Sequence, residues 1–267
     1  MTNIKVLPLA IIGTIVGLVV GVLLIVLSSL PAQASAQSLD IDNVYFYMLA
    51  FAGIIFGIVT IFLVTAVYRF RARPNDTRDG PPQHGHTWLE VIWTLIPFVL
   101  IVILGYGGWW LLDTGDVEAQ ARAEGQQIHV VAYQFGWKYD YLNGNVELKQ
   151  QSELVLPVNE AVIFELTTLD VIHSFWVPAW RMQMNATPGQ VNQMSVTPIK
   201  IGTYEIVCAF LCGIGHSGMN SAIEGSIIPR VRVVSRADFD KWVAERKAEA
   251  AKQAEQATTQ TTTAGVA

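Results

Sequence analysis

Three long stretches without a charged side chain fall within the first 112 positions, and they decide what kind of molecule this chain can become. Val6 to Leu30 follows Lys5, Val44 to Tyr68 ends against Arg69, and Val91 to Leu112 begins just after Glu90. Each is near the ~20 apolar residues that cross a hydrocarbon core as a helix, the fold that satisfies every backbone polar group internally. Apolar residues make up 52% of the chain and charged residues 15%, yet the excess lies before Asp113. Beyond that point the composition is that of an ordinary soluble domain.

The connection between the second and third stretches carries Arg69, Arg71, Arg73 and Arg78. A basic loop of this kind stays in the cytoplasm, so everything after Leu112 is expected on the outer face. Aromatic residues flank the stretches where they meet water: Tyr45, Phe46 and Tyr47 outside, Tyr68 and Phe70 inside, Trp109 and Trp110 outside. The first stretch admits two readings. Lys5, the apolar run and Ala34-Ser35-Ala36 have the layout of a secretory leader with a small-residue cleavage site. The run is nonetheless longer than the ~7–15 apolar residues of a typical leader, so an additional membrane helix is the alternative for residues 1–36. Both readings deliver the 43–112 hairpin, with its cytoplasmic loop at 69–86, in the same orientation.

Past about residue 120 the pattern becomes short β-rich segments broken by turns. Candidate strands are Ile128–Tyr141, followed by an Asn143-Gly144 turn, then Glu153–Leu156, Ala161–Thr167, Gln193–Thr197, Thr203–Cys208 and Ser226–Val234. Strands spaced this closely predict a β-sandwich or barrel over 120–235. Arg236–Gln256, rich in Ala, Lys and Glu, predicts a helix, and the Thr-rich residues 258–267 a disordered tail. The fold class is therefore a membrane-anchored all-β protein with two helices across the membrane, or three if the first is kept. A net charge of −5 argues against nucleic acid as a partner.

Chemistry concentrates in Cys208-Ala-Phe-Leu-Cys212-Gly-Ile-Gly-His216-Ser-Gly-Met219. Two thiols, an imidazole and a thioether form the donor set that copper prefers over zinc or magnesium. A mononuclear blue-copper site uses one cysteine, so a second at this spacing allows two thiolates to bridge a pair of ions. A second imidazole must come from His129 or His173, the other histidines of the outer segment. His173 is expected at the end of a strand, where a loop can bring it beside the cysteines. Each residue also has a plainer reading: a Cys208–Cys212 disulfide, a structural histidine, a core methionine.

On these residues the chain resembles the cytochrome c oxidase subunit II family from about Tyr45 to Val234. The stretches Glu90-Val-Ile-Trp-Thr-Leu-Ile-Pro97 and Thr187-Pro-Gly-Gln-Val-Asn-Gln193 share in the resemblance. It implies two helices followed by a cupredoxin-like domain with a dinuclear copper (CuA) centre. His173, Cys208, Cys212, His216, Met219 and the backbone carbonyl of Phe210 would supply the ligands. It further implies electron transfer from an external donor to haem in subunit I of an oxidase that pumps protons, in a bacterial-type plasma membrane. The donor would be a cytochrome c or a small blue-copper protein. No Cys-x-x-Cys-His occurs, so the donor is expected to be a separate protein, docking on carboxylates such as Asp140, Glu160 and Asp170.

The resemblance has departures. The family commonly has Glu at position 210, where it binds magnesium shared with subunit I; Phe210 has no side-chain ligand, which leaves that magnesium site doubtful. Phe135 takes the place of a tryptophan through which electrons enter, so Phe135 and Trp137 are the candidates here, against a plain core role for both. Glu90 matches a carboxylate at the mouth of a proton pathway and also completes a Thr87-x-x-Glu90 capping box. Two rival functions stand beside the oxidase: a quinol oxidase subunit, which lacks the thiols and imidazoles, and a membrane-anchored copper-binding or delivery protein, which needs an exposed, exchangeable site.

Overall fold

The computed structural model describes residues 6–27, 30–71, 82, 84–112, 122–123, 125–142, 148–219 and 230–264. The Asn143-Gly144 turn, Arg73, Arg78, Asp113 and residues 226–229 of the last expected strand lie outside them. Two compact units separate, one helical and one β, and Pro31–Asp40 belongs to the β unit.

Helices α1 (Val6–Leu27), α2 (Ala36–Arg69) and α3 (Thr87–Leu112) are each long and apolar enough to cross a membrane. α2 begins at Ala36 rather than Val44, because Ser38 at its start is anchored: its hydroxyl donates to Ser35 O at 2.6 Å, and its N–H reaches the Ser35 hydroxyl at 3.0 Å. At the start of α3 the cap differs in detail from Thr87-x-x-Glu90. His86 is the capping residue: its Nδ1 accepts the Leu89 N–H at 3.3 Å, and Glu90 Oε1 accepts the His86 N–H at 3.1 Å. The helix starts one residue earlier than the Thr87 cap required, so the carboxylate reaches back to His86.

The β unit contains β1 (Gln126–Tyr133), β2 (Gly136–Tyr141), β3 (Leu148–Gln151), β4 (Leu154–Pro157), β5 (Val162–Thr168) and β6 (His173–Val177). It continues with β7 (Met182–Ala186), β8 (Asn192–Val196), β9 (Gly202–Glu205), β10 (Val207–Cys208) and β11 (Arg230–Val234). The strands form three sheets in the orders β3-β2-β1-β5-β8, β10-β6-β7 and β4-β11-β9. Among the aromatic rings in the shared core, Phe164 stacks on Trp180 at 5.9 Å and meets Phe175 at 5.6 Å. Together with the helices this is a membrane-anchored protein with a cupredoxin-like β domain.

Two expected strands are each divided. Ile128–Tyr141 is a hairpin, with Tyr133 opposite Gly136 across the Gln134-Phe135 turn. Burial alternates within each arm, and its phase shifts from even to odd positions across exposed Gln134 and Phe135, where the chain reverses. Thr203–Cys208 breaks at buried Ile206, sending β9 to pair with β11 and β10 to pair with β6. The C-terminal helix, α4 (Arg236–Ala264), continues past Gln256 through the Thr-rich residues expected to be disordered. Its first turns are fixed by Phe239 and Trp242 packed against Tyr141, and extending an anchored helix through threonine costs only a few tenths of a kcal/mol per residue.

Tyr141 joins the β2 arm to β4. Its buried hydroxyl accepts the Val155 N–H at 2.8 Å and donates to Val155 O at 2.9 Å. Replacing Tyr141 with Phe leaves both backbone groups buried without that partner, so the unfolding free energy should fall by about 2 kcal/mol. Denaturant titration of the full chain in detergent checks this; a loss below about 0.5 kcal/mol would count against the bond as a link between the strands.

Candidate metal centre

The ligand loop leaves the sheet at β10. Pairing of β10 with β6 sets Cys208 opposite Phe175, and the Ala209 N–H donates to Ser174 O at 3.0 Å. This register brings His173, at the N-terminal end of β6 as expected of a strand-end residue, beside Cys208. From there the chain runs out through exposed Phe210 and Leu211, returns at Cys212, and enters a short 3-10 turn at His216–Met219. Gly213, with φ at +132°, makes the reversal in a region that side chains disfavour.

Six donors converge as a result. The Cys208 and Cys212 sulfurs are 3.9 Å apart and form no disulfide. His173 Nδ1 lies 3.9 Å from Cys208 Sγ, and the Phe210 carbonyl oxygen 3.3 Å from the same sulfur. His216 Nδ1 is 3.5 Å and Met219 Sδ 3.6 Å from Cys212 Sγ. Nitrogen and sulfur ligands sit about 2.0–2.3 Å from a soft metal, so two donors of one ion are separated by up to ~4.6 Å, and these spacings fit. Among the described residues, His173, Cys208 and Cys212 form a group able to hold a metal ion, all three buried. His129, the other histidine considered, is engaged elsewhere, its Nε2 2.7 Å from Thr167 Oγ1.

The scaffold around this cluster is hydrogen-bonded. Asp170 Oδ1 is 2.9 Å from His173 Nε2 and accepts the Val171 N–H at 2.7 Å, while Oδ2 accepts the Gln134 N–H at 2.6 Å. With Nε2 bound to the carboxylate, Nδ1 is the nitrogen presented to the cluster. Burial pushes Asp170 up, but the bonds from His173, Gln134 and Val171 outweigh it and hold the carboxyl below its ordinary range. Gln134 Nε2 also donates to Cys212 O at 2.6 Å. A Cβ on Gly213 would come within 2.8 Å of that Nε2, and one on Gly215 would overlap the Phe135 ring. The β1–β2 turn thus closes down on the ligand loop. Burial, then the neighbouring Cys208, push the Cys212 thiol up to about 11, so it is protonated at neutral pH until a metal displaces the proton.

The remaining candidates separate. Phe135 is 42% exposed against the ligand loop, whereas Trp137 is 5% exposed and packs edge-on to His173 at 6.0 Å and Phe175 at 5.3 Å. Glu90 belongs to the helical unit, in the α3 cap. The three expected docking carboxylates are all engaged: Glu160 pairs with Arg236 at 2.8 Å, Asp140 faces His129 at 3.7 Å, and Asp170 orients His173. Asp170 is thus a positioning residue that had been read as surface charge. Its spacing of three before His173 was the available signal. Gln134 carried none, since its role depends on the hairpin.

Comparison of the sequence with known proteins finds relatives. The family model for the periplasmic domain of cytochrome c oxidase subunit II matches residues 138–226, and the model for its transmembrane domain matches residues 25–107. A probable cytochrome c oxidase subunit 2 of Rickettsia bellii is 35% identical over 209 residues, covering 71% of this chain and 72% of its own. Cytochrome c oxidase subunit 2 of Saccharomyces cerevisiae is 30% identical over 243 residues, covering 82% of this chain and 89% of its own. That of Alkalihalophilus pseudofirmus is 32% identical over 211 residues, covering 78% of this chain and 58% of its own.

Asp170→Asn keeps the shape but loses one of the accepting oxygens. Copper affinity of the full chain, measured by competition with a chelator, should weaken about 10–100-fold while circular dichroism is unchanged. Unaltered affinity would remove Asp170 from the role assigned to it.

Proposed function

The chain belongs to the cytochrome c oxidase subunit II family, and from that premise we propose that it receives electrons at a dinuclear copper centre and relays them to haem in oxidase subunit I. The donor in this reading is a separate cytochrome c or small blue-copper protein on the outer face of a bacterial-type plasma membrane. The observation that carries the proposal is the convergence of six donors, with Cys208, Cys212, His173 and Met219 each at most 4% exposed.

Bound there, a dinuclear copper group would supply one-electron exchange. This chain's residues supply the rest. Cys208, Cys212, His173, His216, Met219 and the Phe210 carbonyl would hold the metal. Asp170 holds the His173 ring, Gln134 holds the loop, and the buried sheet excludes water. A preorganised set of this kind leaves little to rearrange when charge changes. Phe135 is the better candidate for the place where electrons enter, being exposed and lying on the ligand loop, while Trp137 backs His173 from within. Glu90 keeps its proposed place at the mouth of a proton pathway, and its capping bond to His86 is compatible with that position. Phe210 offers no side-chain ligand, so a magnesium ion beside the centre would have to draw its ligands from elsewhere.

Burial of the donors disfavours the rival reading as a copper-delivery protein, which needs an accessible site for exchange. The test is donor-driven oxygen uptake by the assembled oxidase carrying Cys212→Ser. Uptake should fall at least about a hundredfold with haem content unchanged, since a bridging ligand is a more direct loss than the outer-shell changes that cost 10–100-fold. Full donor-driven activity in that variant would contradict the relay.

A further inference from the structure

Ala34-Ser35-Ala36 is where a leader peptidase would cut, and it is also hydrogen-bonded into the β unit. Ala34 donates its N–H to Ala179 O and accepts from Ile199, both at 2.9 Å. Ala36 donates its N–H to Thr197 O at 2.9 Å, and Ser35 forms an antiparallel bridge with Pro198. The Ser35 hydroxyl donates to Trp180 O at 3.0 Å, Arg181 Nη2 donates to Pro31 O at 2.8 Å, and Gln37 Oε1 accepts the Thr197 N–H at 3.2 Å. Ala34, Ser35 and Ser38 are 0% exposed. The extended backbone and small side chains that favour a peptidase are the same features that let this segment pair with residues 197–199 beside Trp180.

The first helix is equally fitted to its neighbour. Within the helical unit α1 has buried Gly13, Gly17 and Gly21. A Cβ on Gly13 would sit 2.7 Å from Ile58 Cα, and one on Gly17 would overlap the Gly53 carbonyl oxygen. Gly57 in turn has room for no Cβ against Gly13 and Gly17. Close backbone approach across small residues is how membrane helices associate. A leader that is removed has no need of a packed face on the helix that stays.

From these two fits, one in each unit, we propose that the chain is not cut at Ala36: α1 remains as a third membrane helix, and Pro31–Ser38 is a strap that seals the β domain. The strap lies on the Ala179-Trp180 backbone, and Trp180 stacks on Phe164, which touches Phe175, the residue opposite Cys208. Cutting after Ala36 would remove the Ser35–Pro198 bridge and the Ala34 bonds to Ala179 and Ile199 beside Trp180, at the far end of the packing that supports the ligand strands. This proposal stands apart from the copper reading, since none of its contacts involves a metal donor.

The test is the intact mass of the full chain, tagged at its C-terminus and purified from membranes. Retention of residues 6–36 is expected; a chain starting at Gln37 would overturn the proposal. Hydrogen exchange on the same preparation examines the strap itself. The Ala34 and Ala36 amides should exchange at least about a hundredfold more slowly than in an unstructured peptide, as amides held in a sheet do. Exchange at the unstructured rate would overturn the strap even if the helix were retained.

Discussion

Asp170 collects three donors on its two oxygens: the His173 imidazole, the Gln134 N–H and the Val171 N–H. That arrangement ties a metal-ligand strand to the β1–β2 turn, and the turn in turn holds the ligand loop through Gln134 and Cys212 O. His173 is fully buried, so without this carboxylate its second nitrogen would lose its partner and about 1–3 kcal/mol with it, and the ring would lose its orientation. The spacing of the six donors follows from this frame as much as from the ligand loop itself. Charge is handled in the same economical way. Burial and the adjacent Cys208 keep Cys212 protonated in the metal-free protein, so the fold does not have to hold two unpaired thiolates. A cation that binds displaces the proton, and the anionic form then exists where it is neutralised.

Much of this was legible in the sequence because it is written in local terms. The three apolar stretches give the helices by length alone, and Cys-x3-Cys-x3-His-x2-Met places four of the donors within one loop. The sequence left His173 and His129 as alternatives, and the register of β6 against β10 brings His173 beside Cys208. What stayed hidden depends on chain reversals and pairings. Residues 128–141 read as one strand because each arm alternates, although the buried positions switch from even to odd numbers across Gln134-Phe135, where the chain reverses. Without the turn, Gln134 has no visible role and Asp170 reads as surface charge.

The membrane half shows a different ambiguity. Small residues in extended chain satisfy both a peptidase and a buried sheet edge, and small residues on an apolar helix are silent in a leader yet close-packed in a helix pair. Pattern reading cannot separate the members of either pair, because the discriminating facts are contacts with residues 179–199 and with Gly53 and Gly57.

The central claim is that Cys208 and Cys212 bridge two coppers in one electronic unit, and copper content together with the electron paramagnetic resonance spectrum of the loaded full chain tests it most directly. The account predicts close to two coppers per chain and hyperfine structure from one electron spread over both nuclei. One copper per chain with the hyperfine pattern of a single nucleus, or a Cys208–Cys212 disulfide that takes up no metal, would contradict it.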